Sequence, residues 1–178
     1  RLEQQVRERT YELEVANTEI EAQRDFARSQ RDQIAQQQKS IMDSIQYAHT
    51  IQNSLLPSNQ LLKNKLPEHF VLLKPRDVVS GDYYWFSEQE SHYYIAAADC
   101  TGHGVPGAFM SMLGISLLNE IIISKEIIRP DSILNRLREK IIVALKQEPG
   151  SILKDGMDMT ICLYDSTART LQFSGANN

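Results

Sequence analysis

Apolar residues return at every seventh position along the first third of the chain: Val6, Leu13, Ile20, Ala27, Ile34, Ile41, Ala48 and Leu55. A second column, Leu2, Arg9, Ala16, Gln23, Gln30, Gln37, Ser44 and Ile51, is apolar at its ends and mostly polar between. Residues 1–56 contain neither Gly nor Pro; the first of each are Gly81 and Pro57. A breaker-free run of good helix formers predicts one long helix. Such a helix cannot bury its apolar column alone, but two copies wound as a left-handed coiled coil can. The β-branched residues of the first column favour two strands, and the Gln-rich column weakens the pairing, which suits a rod that can rotate or shift. The expectation is a homodimer through residues 1–56, set against a solvated single helix or one packed on its own domain. From Ile41 to Leu56 the apolar residues become denser, which predicts contact with the domain that follows.

Beyond Pro57 the pattern changes. Phe70–Leu73 reads as a short strand, and Tyr83–Phe86 with Tyr93–Ala98 as a hairpin turning over Ser87–Ser91. Pro106 fits a first helical turn, with the helix running to about Ser124. Asp131 or Ser132 can cap a second helix with the stripe Ile133, Leu134, Leu137, Ile141 and Leu145. Met159–Tyr164 and Thr170–Ser174 form a second hairpin around residues 165–169. The order β-β-β-α-α-β-β predicts an α+β domain over 57–178, with helices covering a largely antiparallel sheet.

Bulk composition narrows the function classes. A net charge of −4 without a basic run argues against nucleic-acid binding. Cys100 and Cys162 lack metal-ligand spacing and read as reduced thiols of a cytoplasmic protein. The apolar stretch Phe109–Ser124 is broken by Asn119 and Glu120, so no membrane-spanning run is expected. The first residue is Arg1, which suggests a piece of a longer protein; a membrane segment or a sensor domain upstream stays open.

The chemistry concentrates in two short stretches. "VSGDYYWF" opens a strand with Gly81-Asp82, and "AAADCTGHGVPG" closes the next on Asp99 before Gly102-His103-Gly104. The start of one hairpin strand lies beside the end of the other, so Asp82 and Asp99 are expected neighbours. Paired carboxylates repel unless protonated or bridged by a cation, and carboxylates with main-chain carbonyls suit Mg²⁺ or Mn²⁺. The glycines allow a tight turn that could present the Cys100 carbonyl to a metal. The competing reading is a turn-capping Asp beside a packed or solvated His.

These stretches, with "SGANN" and the lead-in "IQYAHTIQNSLLP", resemble the bacterial metal-dependent PPM-type protein phosphatases of the SpoIIE/RsbU group over Ile45–Asn178. The resemblance implies part of a PP2C-like α-β-β-α sandwich and a binuclear Mg²⁺/Mn²⁺ site. By that resemblance Asp99 would bridge both metals, with Asp82 and the Cys100 main-chain oxygen on one side. Water activated there would attack phosphoserine or phosphothreonine. His103 would be either a catalytic proton donor or a turn residue, the second being favoured. Arg76 reads as a surface residue in preference to a phosphate ligand, and Asp155 and Asp158 as turn and strand-opening residues. The family's later metal aspartates follow "SGANN", so weak metal binding and little activity are expected of these residues alone. The implied substrate is a phosphorylated STAS-type anti-sigma antagonist, with an upstream sensor acting through the coiled coil. Two other readings stand beside it: a catalytically inactive dimeric signalling scaffold, and a hydrolase of small phosphate esters.

Overall fold

The computed structural model describes residues 1–66, 68–123, 129–147 and 155–177. The chain divides into two compact units, Arg1–Ser44 and Ile45–Asn178. Helix α1 runs over Leu2–Leu55, 54 residues without a break. It ends just before Pro57, where proline removes an amide donor and pushes its predecessor out of helical geometry. Within Arg1–Ser44 every side chain is exposed, the seven-residue column included.

In the second unit, a short helix α2 (Asn59–Lys65) follows, capped by Ser58, whose side chain accepts a hydrogen bond from the Leu61 amide. Strands β1 (Tyr83–Gln89), β2 (His92–Cys100), β3 (Met157–Asp165) and β4 (Thr170–Ala176) form one sheet in that order, antiparallel throughout. Helices α3 (Gly104–Ile123) and α4 (Pro130–Ala144) lie between β2 and β3 in the chain.

Period-two alternation decides which face is covered. Tyr83, Trp85, Tyr94, Ala96, Ala98, Met159, Ile161 and Leu163 point to one face and join Leu118, Ile121, Ile133 and Leu137 of α3 and α4 in a single core. Trp85 donates its indole N–H to Asn119 Oδ1 at 2.8 Å, so the polar residue that interrupts the apolar stretch satisfies a buried donor. The opposite face carries Ile95, Tyr164, Leu171 and Phe173, all exposed. One helical layer on one sheet is the arrangement expected of part of an α-β-β-α sandwich.

Several local expectations change. Phe70–Leu73 is not a strand; it is irregular and lines a hollow with Tyr84, Ile95 and Cys162 on the open face of the sheet. Four apolar residues in a row carry no period that separates a strand from a covering loop. The first hairpin is tighter than expected, turning at Glu90-Ser91 with Glu90 at φ 53°. Helix α4 starts at Pro130, ahead of Asp131, because proline's fixed φ suits the first helical position. Helix α3, at 20 residues, has the length and hydropathy to cross a membrane, contrary to the sequence expectation. In this fold Met110, Ile115, Leu118 and Ile121 bury its apolar surface in the core. The expected end of α3 at Ser124 lies outside the described residues.

Candidate metal centre

The register pairs Tyr83 with Ala98, which sets Asp82 beside Asp99 at one end of the sheet. Both side chains are on the open face, because Tyr83 and Ala98 take the covered one. Two carboxylates held side by side repel unless protonated or bridged by a cation. The Asp82 carboxyl is accordingly held above its usual range, by partial desolvation first, then by the adjoining Asp99 carboxylate. A cation beside both would relieve that repulsion, so the donor set fits a hard divalent ion.

The backbone around the pair is drawn in tightly. A side-chain carbon on Gly81 would stand 2.9 Å from the Gly102 carbonyl oxygen and 3.2 Å from that of Cys100. One on Gly107 would stand 2.6 Å from the Gly102 oxygen and 3.0 Å from the Gly81 Cα. The Gly81 segment, the turn after β2 and the first turn of α3 therefore meet where only glycine fits. Gly102 and Gly104 add φ values of 87° and 62°, in the left-handed region. The turn brings the Cys100 carbonyl beside Gly81, next to Asp82. Burial, with the charges of Asp99 and Asp82, pushes the Cys100 thiol up to about 12, which leaves its sulfur protonated.

His103 is held by a third carboxylate, Asp77. Its Nδ1 is 3.0 Å from Asp77 Oδ2, and both side chains are largely exposed. Asp77 neighbours the Arg76 singled out in the sequence, which is exposed. No sequence period links residues 77 and 103; only the fold brings "PRD" over the start of α3. Asp158 is the register partner of Asp99 on β3 and shares its open face. It also opens β3, as expected from its position in the sequence. Asp155 is half-buried, and its carbonyl accepts a hydrogen bond from the Gln147 side chain at 2.6 Å. Among the described residues no three His, Cys, Asp or Glu side chains converge as a metal-holding group. Asp82, Asp99 and the Cys100 carbonyl are the ligands this arrangement offers.

Behind the pair lies a buried polar cluster missed in the sequence. Gln52, near the end of α1, donates from Nε2 to the Ser80 carbonyl at 2.6 Å and to Ser111 Oγ at 2.8 Å. The Ser80 amide donates back to Gln52 Oε1 at 3.0 Å. All three residues are buried, and Ser80 is two positions before Asp82. A glutamine on a polar helix gives no signal that it will be buried.

Residues 89–178 match the family described as stage II sporulation protein E, SpoIIE. Among solved structures, the SiaA-PP2C domain of Pseudomonas aeruginosa superposes with a TM-score of 0.70 at 40% identity. The match covers 78% of this chain and 55% of that one, so the chain spans about half of that domain's length. Among curated proteins no relative matches.

Proposed function

The chain belongs to the SpoIIE family, and from that premise we propose that it is part of a metal-dependent serine/threonine protein phosphatase controlled through its N-terminal helix. The observation that carries this reading is the Asp82–Asp99 pair, set side by side by the β1–β2 register and braced by the Gly81–Gly102–Gly107 packing. Asp99 and Asp82 would hold Mg²⁺ or Mn²⁺, with the Cys100 carbonyl as a further ligand. When bound, the cations supply Lewis-acid activation of water and neutralise charge on the phosphoryl group. The residues of this chain fix where those charges sit. His103, tied to Asp77 on an exposed turn, serves the shape of that turn.

The substrate proposed is a phosphorylated STAS-type protein. That class rests on the likeness to the SpoIIE family. Control would reach the site through Gln52, since movement of the end of α1 pulls on Ser80 and with it Asp82. Residues 1–56 would pair two copies and carry the signal of an upstream sensor in a cytoplasmic protein. The absence of a third converging ligand among the described residues keeps the inactive dimeric scaffold as the second reading.

The test is phosphate release from a phosphoserine STAS protein by the longer protein that contains this chain. Release dependent on Mn²⁺ and abolished by Asp99→Asn is expected. Undiminished release by Asp99→Asn would remove the site, and no release by the wild type would favour the scaffold.

A further inference from the structure

The apolar column of α1 is uncovered within this chain. Val6, Leu13, Ile20, Ile34 and Ile41 are 53–63% exposed, at intervals that keep them on one seam of the helix. We propose that a second copy of α1 covers this seam, parallel and in register, with Gln23, Gln30 and Gln37 each meeting its own counterpart. The inference rests on the proposed dimer through residues 1–56 and adds its direction and alignment.

Layer composition carries the first part of the argument. In a parallel, in-register pair each column meets itself, so Ile20, Ala27, Ile34 and Ile41 form apolar layers. The Gln layers alternate with them. A Gln side chain has both an acceptor oxygen and a donor NH₂, so it can satisfy an identical partner. An antiparallel pair sets the first column against the second and places those amides on Ile or Ala. Each amide left unpaired in such a seam loses its water without gaining a partner, which disfavours that arrangement. A parallel slip of one heptad leaves Gln23 of one copy opposite Ala16 of the other, so the amide layers also oppose slippage. Polar residues in a coiled-coil seam specify alignment at a cost in stability. The β-branched Val6, Ile20, Ile34 and Ile41 in the first column favour two parallel strands.

The flanking positions carry the second part. In a parallel dimer the residue before each first-column position faces the residue five further along the other copy. That rule pairs Glu19 with Arg24 of the second copy, opposite in sign, and Phe26 with Arg31, a cation over a ring. Glu19 and Arg24 are exposed on the single chain. An antiparallel dimer with full overlap would instead bring Arg24 against Arg31 at the middle of the helix, where like charges repel.

The test is disulfide trapping in the full chain, with the native cysteines retained. Gln23→Cys, Gln37→Cys and the outward-facing Lys39→Cys are compared under mild oxidation. Linked peptides are identified by mass spectrometry, and sedimentation gives the oligomeric state. All three sites are exposed, so the substitutions leave the fold intact. The expected result is a dimer in which 23–23 and 37–37 disulfides form at least about tenfold more than 39–39, since Cα atoms beyond about 7 Å are not bridged. A dimer without 23–23 and 37–37 linkage, or with equal linkage at 39, overturns the alignment alone. A monomer at all working concentrations overturns both the alignment and the proposed dimer.

Discussion

Gln52 sits on a polar helix, yet its amide holds both backbone groups of Ser80, two positions before Asp82. Gln52→Ala would leave the buried Ser80 amide without its partner, while the Ser80 carbonyl keeps the Ser111 hydroxyl. A loss of about 1–3 kcal/mol follows, read in thermal unfolding as a midpoint lowered by roughly 3–10 °C. An unchanged midpoint would mean that water replaces the side chain and that α1 has no hold on this loop. At this scale the sequence was partly legible. Asp82, Asp99 and their glycines stood out because two acids, each with Gly close by, fall at complementary ends of one hairpin. Gln52 and Asp77 did not, because their partners lie 28 and 26 residues away and only the folded chain joins them.

The β3–β4 hairpin carries a titratable cap. Asp165 Oδ1 accepts from the amides of Thr167 and Ala168 at 2.8 and 3.0 Å, and Oδ2 lies 3.6 Å from His92 Nε2. The Ala168 amide first, then that of Thr167 and the His92 charge, hold the Asp165 carboxyl below its usual range. A lowered carboxyl favours the ionised form in the fold, so its contribution is present above the unfolded-state value and is lost as pH falls toward the folded one. Asp165→Ala should therefore melt lower than wild type at neutral pH, and the two should converge in acid through the carboxylate range. A difference independent of pH would assign the effect to turn geometry. Elements of this kind were legible because alternation and turn residues are local signals. Short α2 and the irregular 68–78 were not, since their form depends on the rest of the fold.

For the whole molecule, helices over one face of an antiparallel sheet follow from the alternation in β1 to β3 and the stripe of α4. Helix α3 is apolar around most of its circumference, and sequence could not say which part packs. Its fit depends on Gly114, where a side-chain carbon would collide with the Tyr83 hydroxyl and the end of Met157. The layering, the glycine-lined turn and the Gln52 cluster serve one purpose in this account: they set two carboxylates side by side where a divalent ion can relieve their repulsion. Calorimetric titration of Mn²⁺ into this chain and into Asp99→Ala tests that claim most directly. Weak, saturable binding by the wild type and none by the variant is the predicted result. Equal heats from the two, or no binding by either, would contradict it and leave Asp82 and Asp99 as turn residues.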